Sequence, residues 1–268
     1  MGKSEKEYLE RYRQGQCNSM VYQRHSVKIG EIDIPVIKAV NFMPSRMIPF
    51  NEAIASLNKE ITMKGTVHMF ISDRHLERTW TFAETYAEKL KNFEAVLSPD
   101  FSLYADWDNP FNLYNLYRNR FVGAYFQQHG LTVIPTVTWS SKKTYDFAFL
   151  GLEPEGTYAV SANGCFSNDK YYRNIALGIY QDGMKEFVKR LNPRRILVHG
   201  SIEAPEADYG DAQVLFYKSK MSAEKNWRYS KFKKPQEQKE KPKWDVIKIA
   251  NTANTGKRKD HSERERLL

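Results

Sequence analysis

The sequence predicts an α/β protein with a mainly parallel sheet, arranged as an irregular TIM-barrel-like fold; an open doubly wound sheet is the alternative. Three observations predict it. Residues 94–140 read as strand, helix, strand, and two strands joined by a helix in one sheet run parallel with a right-handed crossover. Seven or eight short apolar runs recur along the chain, with amphipathic helices between several of them. Polar residues repeatedly close those runs, as they do at the strand ends that carry barrel active sites.

Taken in order, Ser4-Glu5-Lys6-Glu7 forms a capping box and predicts a helix over residues 5–14, stopped by Gly15. Residues 26–37 predict two short strands around Gly30. A buried strand over 36–40 ends at Asn41. A helix is expected over 49–57 and a strand over 66–71, ending at Ser72-Asp73. The next helix carries Leu76, Trp80, Ala83, Ala87 and Leu90 on one face. In the central unit, Pro99 stops the strand over 94–97. Asn109-Pro110 opens a helix, because proline's missing N–H costs nothing at the first helical position. Its expected buried stripe is Tyr114, Tyr117, Phe121, Ala124 and Tyr125, and Gly130 ends it. Residues 131–139, rich in Val, Ile and Thr, form the following strand. Further strands are expected over 145–152, 157–162, 195–198 and 213–217. A long helix over 169–191 buries Tyr172, Ile175, Ala176, Ile179, Met184, Phe187, Val188 and Leu191.

Composition divides the chain into residues 1–33 (helix and short strands), an α/β core over 34–217, and a basic, mostly disordered tail over 218–268. The net charge of +9 belongs to the tail, which holds 16 Lys and Arg against 7 Asp and Glu; residues 1–217 hold 25 of each. A basic tail on a neutral body suits a polyanionic partner, DNA or RNA. Cys17 and Cys165 have no paired spacing, which argues against a disulfide framework or a zinc site. No apolar run is long enough to span a membrane and no signal peptide is evident, so a cytoplasmic setting without membrane contact is expected.

Asp73, Asp100 and His199 close predicted strands and are the catalytic candidates. Two carboxylates at converging strand ends could act as acid and base or hold a divalent metal such as Mg²⁺. The plainer reading has Asp73 and Asp100 capping helices and His199 as a hydrogen-bonded structural residue. Trp107, Arg118, Arg120, Trp139 and Asn163 are the substrate-binding candidates. Arginine grips phosphate or carboxylate bidentately and tryptophan stacks on a base or sugar; ion pairing and buried packing are their commoner fates. Asp106-Trp107-Asp108-Asn109 fails as a calcium loop, since the twelfth position is Tyr117 rather than glutamate. There is no P-loop, dinucleotide fingerprint, HExxH or kinase signature. In the tail, Lys231, Lys233, Lys234, Lys257, Arg258 and Lys259 accompany Trp227, Tyr229, Phe232 and Trp244. Cations neutralise phosphates and aromatics stack on bases, a mixture suited to single-stranded nucleic acid, although a plain solubilising tail has the same look.

The runs PDFSLYADW, NLYRNRFVGAYFQQHGLTVIPTVTW, YAVSANG and LNPRRILVHG, within residues 93–200, resemble an uncharacterised family, domain-of-unknown-function family 4417. The resemblance implies a phage or mobile-element setting and brings no activity, substrate or cofactor with it. Three functions are open at this point. The first is binding or acting on nucleic acid through the tail and a polar pocket at strand ends. The second is a barrel-type hydrolase of a small molecule or glycan, and the third a host-directed protein-binding factor without catalysis.

Overall fold

The computed structural model describes residues 27–59, 63–163, 165–200 and 203–219. The helix expected over 5–14 and the tail candidates Trp227, Lys231, Lys233, Lys234, Lys257, Arg258 and Lys259 lie outside the described residues.

The elements run β1 (Met47–Pro49), α1 (Phe50–Leu57), β2 (Thr66–His68), α2 (Asp73–Thr81), α3 (Ala83–Leu90), β3 (Ala95–Leu97), α4 (Asn109–Gln128), β4 (Val133–Ile134), α5 (Tyr145–Ala148), β5 (Thr157–Ser161), α6 (Lys170–Leu191), β6 (Arg195–Gly200) and β7 (Gln213–Lys218). All strand pairs are parallel: β1 to β4 form one sheet in sequence order, and β5 to β7 a second. A parallel bridge between Thr136 and Ala159 joins the two, so the seven strands follow one another in a single row.

Side-chain alternation along these strands makes two faces. Outward residues such as Val67, Val96 and Val133, then Tyr158, Val160, Ile196 and Val198, meet the helices. Inward residues Ala95, Leu97, Ile134, Ala159 and Leu197 meet one another, with Met47, Leu215 and Tyr217 packed against them. Among the described residues, no helical residue joins that inner cluster. A doubly wound sheet needs helices on both faces, so this inner face departs from the alternative reading. A flat row of seven strands would hold β1 and β7 about 29 Å apart. Instead the Tyr217 hydroxyl donates to the Pro44 carbonyl at 2.8 Å, three residues before β1. The row therefore curls around its inner face, and among the described residues no ladder joins β7 to β1.

Several local expectations change. Of residues 145–152, expected as a strand, Tyr145–Ala148 form a helix, α5, a turn follows, and only Leu152 makes a bridge, to Ile37. Short apolar runs fit either state, and here the Ala148 and Leu150 carbonyls turn to meet the Arg120 guanidinium. Residues 36–40 form only an Ile37–Leu152 bridge, because their polar backbone groups bond to Gln127 and Glu153 side chains. The helix after Asp73 is two helices, broken at Phe82, whose backbone (φ −127°, ψ 44°) is not helical. Strand β1 takes Pro49, expected as the start of the helix over 49–57, together with Met47 and Ile48, for which no strand is expected. Tyr114, Tyr172 and Ile175, expected in buried stripes, are exposed.

Candidate functional site

Because every strand is parallel, their C-terminal ends share one end of the fold, and the pocket lies there. It has a volume of about 250 Å³ between the segment after β3 (Asp100, Leu103, Tyr104), the extension of β4 (Thr138, Trp139, Ser140), the segment after β5 (Asn163, Cys165) and α6 (Ala176, Ile179, Tyr180).

The loop after β3 is held by a row of asparagines on α4. Asn112, Asn115 and Asn119 are spaced by three and four residues and so lie on one helix face. Asn119 donates to the Pro99 carbonyl at 2.6 Å and Asn115 to the Ser102 carbonyl at 2.7 Å. Asn112 donates to the Tyr104 carbonyl at 2.8 Å and accepts its N–H at 2.9 Å. Asp73, the first residue of α2, clamps the same loop from the other side, accepting from the Ser102 N–H at 3.1 Å and its hydroxyl at 3.0 Å. Asp73 thus ties two strand-end loops together; Ser72 occupies the helix N-cap position without a side-chain capping bond, and Asp73 is the first helical residue.

Asp100 stands on that loop and is, among the described residues, the one charged side chain lining the pocket. Its carboxylate accepts a hydrogen bond from the Thr138 hydroxyl. Burial pushes its pKa up to about 7, the Thr138 bond lowers it and the nearby Asp73 carboxylate raises it. Ser140, two residues beyond Thr138, is buried, and its hydroxyl has no partner among the described groups. Cys165 is also buried, and loss of hydration raises its thiol to about 11, so it is a neutral wall rather than a nucleophile.

Trp139 forms another wall. Its indole N–H donates to the Ile179 carbonyl at 3.0 Å, and its ring packs near Phe149, Tyr180 and Phe187. Gly183 makes this contact possible: a Cβ there would sit 2.0 Å from Trp139 Nε1 and 2.2 Å from Cδ1. Gly183→Ala is therefore expected to lower stability by about 1–3 kcal/mol and move the indole. Thermal denaturation and tryptophan emission read both effects; an unshifted spectrum with unchanged stability contradicts this packing.

An exposed aromatic rim adjoins the pocket. Trp107 lies 4.5 Å from the ring of Tyr104, a lining residue, and 6.3 Å from Phe111. Tyr104, Trp107, Phe111 and Tyr114 are all exposed. Tyr172 and Ile175 are exposed on α6 just before the lining residues Ala176 and Ile179.

The structure thus brings Asp100, Trp139 and Asn163 together in one pocket, with Asp73 beside Asp100 and Trp107 on the rim. It places the other candidates elsewhere. Arg118 is buried against Phe101, with its guanidinium 3.9 Å from the ring centre, and pairs with Glu77 at 2.5 Å. Arg120 is fully buried and bonded to protein acceptors, so neither arginine is offered to a ligand. His199 lies buried on β6, stacked on Phe70 at 4.9 Å and 4.4 Å from the His68 ring, away from the pocket lining. Burial lowers its pKa to about 4. With both Asp73 oxygens engaged by Ser102, the two carboxylates do not make a ready Mg²⁺ site; among the described residues no group of three His, Cys, Asp or Glu is placed to hold a metal. The residues that sequence reasoning missed are Tyr104, Thr138, Ser140 and Tyr180. The polar Thr138-Trp139-Ser140 strand end carried a signal; Tyr180, in mid-helix, carried none.

The model of the family described as Domain of unknown function (DUF4417) matches residues 27–218, most of the chain and nearly all of the fold just described. The chain belongs to the DUF4417 family. The DUF4417 chain is 30% identical over 172 residues to the Gene 1 protein of Mycobacterium phage L5, covering 63% of this chain and 72% of that protein. It is 29% identical over 170 residues to the Gene 1 protein of Mycobacterium phage D29, covering 63% of this chain and 61% of that protein. DUF4417 is therefore an uncharacterised family with phage members. No solved structure matches the chain. Among the described residues of this DUF4417 protein, no helix is long and apolar enough to cross a membrane.

Proposed function

We propose that this protein binds single-stranded nucleic acid, with one unpaired base entering the Asp100 pocket and its neighbours stacking on Tyr104, Trp107 and Phe111. The observation that carries the reading is the continuity of a mostly apolar pocket, carrying the Asp100 carboxyl, with an exposed aromatic rim at the strand C-terminal ends. A base must leave a duplex to reach such a pocket, which favours single strands. Stacking on an exposed aromatic is worth about 1–3 kcal/mol per base. Among the described residues the pocket lining holds no Lys or Arg, so phosphate neutralisation falls to the basic tail in this reading.

Fluorescence anisotropy of a labelled single-stranded oligonucleotide with the full chain tests this across roughly 50–200 mM salt. Glutamine at Lys231, Lys233, Lys234, Lys257, Arg258 and Lys259 is expected to flatten the log–log salt slope by up to about 4. Trp107→Ala is expected to weaken binding about tenfold or more at every salt concentration. No binding by the unmodified chain at the lowest salt rejects the proposal.

A hydrolase of a small molecule or glycan is the second reading, favoured by the Asp100 carboxyl with its pKa near 7 in a pocket. It lacks a free second carboxylate, because Asp73 is bonded to Ser102.

A further inference from the structure

We infer that the strand continues from the pocket across the first turns of α6, where Tyr172 stacks on a neighbouring base and Lys170 and Arg173 hold phosphates. The inference rests on the single-strand reading above. It adds a second contact surface, on the α/β body, to the aromatic rim and the tail.

Helical residues three and four apart share a face. Tyr172 and Ile175 therefore lie on the face of α6 that carries Ala176 and Ile179, two residues of the pocket lining. Tyr172 stands one turn, about 6 Å, beyond Ala176. The α6 wall of the pocket thus runs on past the lining residues, and there it is uncovered: every residue from Asn168 to Ile175 is exposed. Tyr171 is 68% exposed, Tyr172 64% and Ile175 45%. The two tyrosine rings meet edge-on, 5.6 Å apart at 74°, and among the described residues each is the other's one aromatic neighbour. A helix of a folded domain turns its apolar stripe to the core. Here the stripe leaves the core while remaining continuous with a pocket, and contiguous exposed apolar surface of this kind marks a binding site.

Charge identifies the occupant. Lys170 and Arg173 bracket the tyrosines in the run Lys170-Tyr171-Tyr172-Arg173. Arg173 Nε donates to the Ser167 carbonyl at 2.8 Å, which fixes the guanidinium beside the turn before α6 and leaves its terminal nitrogens for a ligand. Among the described residues no carboxylate pairs with Lys170 or Arg173. The adjacent acid, Asp169, is engaged in capping α6, accepting from the Tyr171 N–H at 2.9 Å. Arg118 and Arg120, by contrast, are bonded to protein groups. Unpaired cations interleaved with exposed rings suit a single strand, whose phosphates meet the cations and whose bases stack on the rings.

The test uses the full chain and a labelled oligo(dT) of about 12 nucleotides, within the usual span of single-strand sites. Fluorescence anisotropy is read across roughly 50–200 mM salt. Tyr172→Ala is expected to weaken binding about tenfold at every salt concentration, the scale of one stacked base, while Tyr172→Phe keeps the ring and the affinity. Lys170→Gln combined with Arg173→Gln is expected to flatten the log–log salt slope by up to about 1.4, as two phosphate contacts on a single strand require. The three side chains are exposed, so thermal denaturation of the variants is expected to match that of the unmodified chain. Full affinity in Tyr172→Ala, or an unchanged slope in the double variant, while Trp107→Ala still weakens binding, overturns this inference and leaves the pocket-and-rim reading intact. The exposed turn would then belong to a protein partner. Failure of the unmodified chain to bind overturns the parent reading, and this inference with it.

Discussion

Arg120→Met is expected to lower the unfolding free energy by about 3 kcal/mol or more, a large share of the 5–15 kcal/mol typical of a domain. The guanidinium is fully buried and connects three parts of the chain. Its Nε donates to the Leu150 carbonyl at 2.8 Å, one terminal nitrogen to Asn119 Oδ1 at 2.7 Å and the Thr136 carbonyl at 3.1 Å, and the other to the Ala148 carbonyl at 2.7 Å. Burial lowers its pKa to about 9, so it remains charged at neutral pH. Methionine removes the desolvated charge, which is a gain, but leaves the Leu150 and Ala148 carbonyls unmet and takes the better donor from the Thr136 carbonyl and Asn119 Oδ1, which keep Asn119 Nδ2 at 3.5 Å and the Ser98 hydroxyl at 3.1 Å. Each unmet buried acceptor costs about 1–3 kcal/mol, so the loss wins. Arg120→Lys keeps the charge without the fork and is expected to fall between the two. Urea denaturation of the three proteins decides this; a loss below about 1 kcal/mol for the methionine variant would show that the carbonyls find other partners.

The second large effect is a pair of opposed pH dependences. Asp100 has a folded pKa of about 7 against an ordinary 3.8, so the folded state holds its proton more tightly than the unfolded chain. Its contribution is least favourable above pH 7 and improves as pH falls from about 7 to 3.8. His199 is the reverse: its folded pKa of about 4 lies below the ordinary 6.5, so stability is lost as pH falls from 6.5 to 4. The two slopes oppose one another over most of that range. Asp100→Asn removes the gain and exposes the histidine's loss, about 3 kcal/mol between pH 6.5 and 4. His199→Phe, which can keep a ring against Phe70, leaves the carboxyl's gain of at most about 4 kcal/mol, less what water in the pocket screens. Each variant is compared with the wild type by urea denaturation at several pH values. Three parallel stability curves would contradict both shifts.

Much of the architecture was legible in the sequence, because hydrophobic period reports burial. The helices over Asn109–Gln128 and Lys170–Leu191 and the strands at 66–68, 95–97, 157–161, 195–200 and 213–218 lie where apolar pattern, proline and glycine put them. The misreadings share a cause: tertiary partners set local structure. Residues 145–148 became helical where their neighbours' carbonyls meet Arg120 from a distant helix. Tyr172 and Ile175 fit the helical period of α6, yet they lie on its exposed stretch. The pocket was half legible. Asp100, Trp139 and Asn163 stand at strand ends and were found by that rule. Arg118 and Arg120 looked like ligand-gripping cations because a sequence does not reveal which carbonyls and rings a helix will face. The Asn112, Asn115 and Asn119 row that fixes the Asp100 loop has helical spacing, but its meaning depends on the backbone it meets.

The central claim is that the Asp100 pocket and its aromatic rim form the binding surface. Hydrogen–deuterium exchange on the full chain, with and without a saturating single-stranded oligonucleotide, tests it most directly. The account predicts slowed exchange at residues 100–107, 138–140 and around Ser161, in addition to any in the tail. Slowed exchange confined to the tail, with those three segments unchanged at saturation, would contradict it.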